Sequence, residues 1–145
     1  MCIRDRLKID DGDDPDPNAT ADDLIGTHDV FIYDSNIAPV PVMRNEELIL
    51  LSAEANHIAD PTAAVAAIDV IRLAAGLSDY ASTGLGTSPS ELLDEILRQR
   101  RYSLYGEGHR WVDLRRFGRL DELPLDRVIH STFEQFPIPA NENVN

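Results

Sequence analysis

The chain has 145 residues, of which 43% are apolar, and it carries a formal net charge of −13. Such a length fits one domain or a part of a larger one, with enough apolar side chains for a core. Nucleic-acid binding draws its affinity from Lys and Arg side chains that neutralise phosphates, so this charge argues against DNA, RNA and anionic lipid surfaces as partners. A neutral ligand such as a sugar is not disfavoured.

The N-terminal segment, residues 1–38, is acidic and predicts irregular structure. Nine Asp residues lie between positions 10 and 34, interspersed with Pro and Gly, which favour turns and solvated loops. Residues 30–32 predict one short strand. Residues 1–6 resemble a non-native leader and are left out of the fold prediction. Calcium could bind the acidic residues 10–23, but their spacing is not that of an EF-hand loop, so a solvated linker is favoured.

Helical periodicity begins at about Asn45. Apolar residues recur at intervals of three and four along this stretch, which predicts one buried helix face. The residues predicted to form that face are Leu48, Leu51, Ala55 and Ile58.

A second helix is predicted from Pro61 to about Ala75. Asp60 is a favourable N-cap, Pro61 suits the first helical position, and Gly76 suits the end. The short connection between the two helices predicts an antiparallel, tetratricopeptide-like hairpin. The residues predicted to face inward from the second helix are Ala64, Ile68, Ile71 and Ala75.

A third and a fourth helix are predicted in the second half of the chain. Ser88 and Glu91 are three residues apart and form the pattern of a capping box, which opens the third helix. Gly106 and Gly108 end it, and the fourth helix covers residues 109–117. The inward positions predicted for the third helix are Leu92, Leu93, Ile96, Leu97 and Leu104.

Three segments together resemble the C-terminal region of the SusD/RagB family. They are PVPVMRNEELILLSAEAN at 39–56, EILRQRRYSLYGEGHRWVDLRRFG at 95–118 and FPIPANE at 136–142. The middle segment is the specific one, because it joins an arginine-rich helix to a glycine-flanked Glu, an aromatic residue and an Asp-Leu-Arg-Arg run. The resemblance identifies residues 39–145 as the C-terminal helical part of a SusD/RagB-like domain.

This resemblance implies a mainly α fold with tetratricopeptide-like helical hairpins and long irregular loops. It also implies a non-enzymatic role: members are outer-membrane surface lipoproteins that capture an oligo- or polysaccharide and work with a SusC-like, TonB-dependent transporter in nutrient uptake. This chain shows no signal or lipidation site, so its anchoring is not carried over. We expect the main glycan platform to lie outside this stretch and assign no glycan-binding residue.

The arginine-rich region is interpreted as a structural motif. Seven of the thirteen basic residues are arginines between Arg98 and Arg119. In an acidic chain, Arg side chains are better explained by pairing with carboxylates and packing on aromatic rings than by an anion-binding patch. The residues assigned to this motif are Glu54, Arg100, Arg101, Glu107, Arg110, Trp111, Asp113, Arg115 and Arg116.

The aromatic residues of the same region have two interpretations. Trp111, Tyr102, Tyr105 and Phe117 could form a platform that stacks on sugar rings. The same spacing serves a core anchor, and large aromatic side chains dominate core energetics. We therefore predict a core role for them.

Catalytic and metal motifs find little support. The four histidines are scattered without a ligand spacing, and the chain contains no GxSxG or dinucleotide glycine pattern. We therefore predict no catalytic residue, metal or cofactor. Two alternatives to the glycan-binding role stay open: a small tetratricopeptide-like protein-interaction module, and a glycosidase fragment, because the separation of two carboxylates is a spatial property.

Overall fold

A computed structural model describes residues 5–7, 28–30, 35, 37–125, 130–133 and 135. The acidic residues 10–23 and the closing segment 136–142 lie outside the described residues. The chain divides into two compact units, Met1–Tyr105 and Gly106–Asn145. Each unit is described by itself.

The first unit contains a short antiparallel ladder. Strand β1 (Asp5–Leu7) pairs with strand β2 (His28–Val30) so that Leu7 lies opposite His28. The strand predicted at 30–32 therefore begins earlier, and only its first residue lies in β2. Part of β1 falls within the segment interpreted as a leader. The division of the chain at residue 38 stays a prediction.

Three helices follow in the first unit: α1 (Asn45–Asn56), α2 (Pro61–Ala74) and α3 (Pro89–Ser103). Helix α1 packs against α2 across a short connection, and α3 packs against both. The second unit contains α4 (His109–Arg116) and a 3₁₀ turn at Leu120–Glu122. The mainly helical, tetratricopeptide-like fold is as predicted.

The predicted buried face of α1 is wrong. Leu50 and Ala53 are buried, whereas Leu48, Leu51 and Ile58 are 47%, 52% and 69% exposed. Ala55 is exposed as well. The reason is that positions 48 to 51 are all apolar, so α1 has two apolar faces. Periodicity detects both faces but does not say which of them the other helices cover.

The predicted limits of α2 follow from its caps. The Asp60 carboxylate accepts a hydrogen bond from the Ala63 backbone N–H at 3.0 Å, and Pro61 occupies the first turn. At the other end Gly76 adopts a φ of 73°, which favours glycine, and the Leu77 N–H donates to the Arg72 carbonyl at 2.9 Å. These two caps set the length of the helix.

The capping box predicted for α3 is confirmed. The Glu91 N–H donates to Ser88 Oγ, and the Glu91 carboxylate accepts hydrogen bonds from the Ser88 N–H at 3.2 Å and the Gly86 N–H at 3.1 Å. A Cβ atom on Gly86 would overlap the same carboxylate. Glycine at this position therefore lets the loop close on the start of α3.

The core of the first unit lies where the three helices meet. Its apolar side chains come from every helix and from the loop between α2 and α3. The members of this cluster are Ala53, Ala64, Ile68, Tyr80, Leu92 and Ile96, with Val65 and Ala67 packed against them. The inward prediction is confirmed for Ala64, Ile68, Ile71, Leu92, Ile96, Leu97 and Leu104.

The capping carboxylate predicts a specific pH dependence. The Ser88 hydroxyl, followed by the Ser88 and Gly86 backbone N–H groups, lowers the pKa of Glu91 below its ordinary value. A lowered folded-state pKa stabilises the fold above the unfolded pKa of about 4.3, and this contribution is lost as the pH falls through the folded pKa. Glu91→Gln should therefore be less stable than the unaltered chain at pH 7, and the difference should shrink on acidification.

Urea unfolding of both proteins from pH 7 to pH 3 measures this difference. Ser88→Ala is the matched variant, because it removes the hydroxyl that has the largest effect on the Glu91 pKa. In the Ser88→Ala background, the loss of stability caused by Glu91→Gln should change less with pH. A difference between Glu91→Gln and the unaltered chain that stays constant with pH would contradict the assignment.

Candidate functional site

A buried ion pair joins α2 to α3. Arg72 is 5% exposed and Glu95 is 2% exposed, and the Arg72 guanidinium donates to Glu95 Oε1. Gln99 Nε2 donates to the same oxygen at 2.7 Å. Arg72 Nε also donates to the Ser78 carbonyl at 2.8 Å, so one guanidinium connects both helices and the loop that follows α2.

Sequence reasoning missed this network. A signal was present, because Arg72 lies four residues after Ile68 on the apolar face of α2. A charged side chain on such a face is almost never fully buried unless it is paired. The identity of its partner, Glu95, could not be inferred, because it lies 23 residues further along the chain.

Tyr80 fixes the loop between α2 and α3. Its side chain is only 1% exposed, and its hydroxyl donates to the Gly86 carbonyl at 2.7 Å. Its backbone N–H donates to Asp69 Oδ1 of α2 at 2.6 Å. Burial raises the pKa of the Tyr80 hydroxyl, with smaller contributions from nearby carboxylates such as Glu91. The phenol therefore remains a hydrogen-bond donor at neutral pH.

Three of the residues assigned to the arginine motif lie in the first unit. Glu54 is half-buried on α1, and its backbone carbonyl lies 2.5 Å from Nδ1 of His57. Arg100 is 7% exposed on α3. Glu54 and Arg100 each take part in further polar or electrostatic interactions. Arg101 is exposed, with its guanidinium 5.7 Å from the ring centroid of Tyr102.

The second unit holds the other six, and two pairs of them are in contact. Arg115 lies over Trp111, with the guanidinium carbon 5.3 Å from the ring centroid, and the Trp111 indole N–H donates to the Phe133 carbonyl at 2.9 Å. Arg116 Nη2 is 3.2 Å from Oδ1 of Asp113, a side chain that is 5% exposed.

One carboxylate that was not predicted contacts two arginines of the second unit. Arg110 Nη2 lies 3.6 Å from Glu122 Oε2, and Arg119 Nε donates to Oε1 of the same residue. Glu107 has a polar or electrostatic interaction as well. The guanidinium groups of Arg110, Arg116 and Arg119 are thus occupied by carboxylates of the chain itself. The assignment of the nine residues as a structural motif stays a prediction.

The core role predicted for the aromatic residues is wrong for two of them. Tyr102 and Tyr105 are 39% and 48% exposed, whereas Trp111 and Phe117 are half-buried. Tyr102 lies on α3 and Tyr105 lies two residues beyond its end, whereas Ser103 and Leu104 between them are buried. Spacing alone does not show which side of this stretch faces the core.

Metal sites and membrane-spanning helices are two further features considered for the described residues. Among the described residues, no group of three or more His, Cys, Asp or Glu side chains is arranged to hold a metal ion. In the same part of the chain, no helix combines the length and the apolar content needed to cross a membrane.

Comparison with known proteins gives a family assignment. The model of the SusD family matches residues 33–143. The SusD-like protein P38 of Formosa agariphila is 37% identical over 114 residues, which cover 68% of this chain and 22% of that protein. The matched part of this chain thus spans about a fifth of the length of this curated relative. No solved structure matches. The match over most of its length, on a helical bundle of the expected kind, shows that this chain belongs to the SusD family.

Proposed function

We propose that this chain is the C-terminal portion of a surface glycan-binding protein that works with a TonB-dependent outer-membrane transporter in polysaccharide uptake. The match of the family model to residues 33–143 carries this proposal. In this role the protein binds oligo- or polysaccharide and does not hydrolyse it. The helices described above act as scaffold for a larger body.

The exposed face of α1 supports the scaffold role. Leu48 and Leu51 lie three residues apart on α1, and Ile58 lies two residues beyond its end. We term these three residues the α1 seam, and each of them is about half exposed or more. In arrays of helical hairpins each unit buries such a face against the next unit. The α1 seam is therefore suited to packing in a larger helical body.

The internal contacts of the basic residues support a neutral ligand. Arg72, Arg110 and Arg116 each contact a carboxylate of the same unit. These arginines therefore contribute little net positive charge to the surface, and the formal charge of the chain is −13. A polysaccharide without phosphate groups fits this balance better than a polyanion does.

The experiment is calorimetric titration of the full-length gene product with a panel of plant, algal and microbial polysaccharides, combined with a reducing-sugar assay of the same mixtures. We expect saturable binding without release of reducing ends. Release of sugar would favour the glycosidase alternative. An absence of binding to every polysaccharide, together with capture of a peptide partner, would favour the interaction-module alternative.

Transporter partnership and location need their own test. Affinity purification of the tagged full-length protein from its native membranes should retain a TonB-dependent transporter, and protease added to intact cells should digest the tagged protein. A protein that is protected in intact cells and purifies without a transporter would contradict both parts of the proposal.

A further inference from the structure

The second unit contains an open cavity of about 420 Å³. Its walls come from the last turn of α4, the 3₁₀ turn at Leu120–Glu122 and a residue near the end of the described chain. The lining residues are Arg115, Gly118, Leu120, Asp121 and Gln135. Small-molecule pockets in proteins commonly measure roughly 300–1,000 Å³, so the cavity is large enough for a small ligand.

The polar side chains of this cavity make few contacts with the part of the chain that the structure describes. Within the described part of the chain, the carboxylate of Asp121 and the carboxamide of Gln135 have no protein hydrogen-bond partner, and the Arg115 guanidinium has only its contact with Trp111. The neighbouring arginines differ, because Arg116 and Arg119 are each paired with a carboxylate. Donors and acceptors are therefore available together in one concave surface.

Arg115 is also held in place. Its guanidinium lies 5.3 Å from the ring centroid of Trp111, within the range of a cation–π contact. The indole is itself fixed by its hydrogen bond to the Phe133 carbonyl. Stacking leaves the N–H groups of a guanidinium free to donate in its own plane. Ordering the side chain in advance lowers the entropic cost of binding a ligand.

We propose that this cavity binds one neutral sugar unit. Arg115 donates hydrogen bonds to ring and hydroxyl oxygens, Asp121 accepts them from hydroxyl groups, and the Gln135 carboxamide does both. Leu120 supplies apolar surface for a C–H face of the ring, and Gly118 adds no side chain to the wall. The charges of Arg115 and Asp121 cancel, which favours a neutral polyhydroxylated ligand. This subsite is additional to the main glycan platform of the proposed function and does not depend on it.

Tryptophan fluorescence of the 145-residue chain tests the subsite, because Trp111 is its only tryptophan. The probes are the methyl glycosides of glucose, galactose, mannose and xylose, with glucuronate and glycine as charged comparisons. A single sugar unit should bind with a dissociation constant on the order of 1–50 mM. The side-chain amide signals of Gln135 in a ¹H–¹⁵N spectrum provide a second readout, and they should shift with the same saturation curve.

Variants distinguish the loss of hydrogen bonds in the cavity from a general change in the second unit. Arg115→Met and Asp121→Ala should each weaken binding of the preferred glycoside by about tenfold, since each removes hydrogen bonds to a charged group. Arg116→Met is the matched control, because it changes the adjacent arginine, which does not line the cavity. It should leave the affinity unchanged. Circular dichroism checks that each variant is folded.

Three results would overturn the proposal: no saturable change with any glycoside in either readout, equal binding by Arg115→Met, or tighter binding of glucuronate or glycine than of every neutral glycoside. Failure of the full-length protein to bind polysaccharide would remove the proposed function and leave this subsite standing. If the 145-residue chain shows no saturable change with any glycoside, the subsite is excluded and the proposed function is unaffected.

Discussion

Leu50→Ala is expected to lower the free energy of unfolding by about 2–5 kcal/mol, because it leaves a cavity where a fully buried side chain packs. Leu50 has no exposed surface, and it is one of the two buried residues of α1, together with Ala53. A loss of this size is a large share of the roughly 5–15 kcal/mol by which a typical domain is stable. Urea unfolding followed by circular dichroism at 222 nm measures it.

Leu51→Ala is the matched control for this prediction. It makes the same chemical change at the next position of the same helix, where the side chain is 52% exposed. Surface changes of this kind usually alter stability by no more than about 0.5 kcal/mol. Equal losses in the two variants would show that the assignment of faces on α1 is wrong.

The same pair of variants also tests the scaffold role. In the full-length protein, the proposed function places the α1 seam against further helices. Leu51→Ala should then lower the free energy of unfolding clearly more in the full-length protein than in the 145-residue chain. An unchanged small effect in the full-length protein would leave the seam uncovered and argue against this role.

Glu95→Ala is expected to destabilise the first unit by about 3–5 kcal/mol, because it leaves the guanidinium of Arg72 buried without a carboxylate. Arg72 would retain its hydrogen bond to the Ser78 carbonyl, and Gln99 would lose its acceptor. The effect should appear in urea unfolding and as faster amide hydrogen exchange in the loop between α2 and α3.

Arg98→Ala is the control for the removal of an ion pair. Arg98 contacts the other oxygen of Glu95 at 3.8 Å, but its side chain is 61% exposed. Exposed pairs contribute about 0–1 kcal/mol, so this variant should be nearly as stable as the unaltered chain. A loss for Glu95→Ala no greater than that for Arg98→Ala would contradict the buried pairing.

Replacing both partners distinguishes the effect of an unpaired buried charge from the effect of lost packing. Arg72→Met combined with Glu95→Met removes both charges and keeps much of their volume. Buried ion pairs can often be replaced by apolar residues at little cost, whereas removal of one partner leaves an uncompensated charge. We expect the double variant to be more stable than Glu95→Ala. If it is instead equally unstable, packing of the aliphatic stems and not charge dominates at this position.

Local signals in the sequence predicted the helix limits well. Asp60 and Pro61 at the start of α2, and Ser88 and Glu91 at the start of α3, act within one helical turn. Such contacts depend on residues that are three positions apart, so the pattern contains all the information needed. The family resemblance was likewise carried by residues in a fixed order, and the comparisons confirm it.

Tertiary structure decided what those local signals left open. Leu48 and Leu50 are both apolar residues of one helix, and only the packing of the folded chain determines that Leu50 is the buried one. The partner of Arg72 was equally hidden, because Glu95 reaches it only when two helices pack. The starts of α2 and α3 and the family resemblance could be predicted from the sequence, because caps and motifs are local. Which faces are covered, which charges meet and which polar groups line a cavity depend on contacts between distant segments, and these form only in the folded chain.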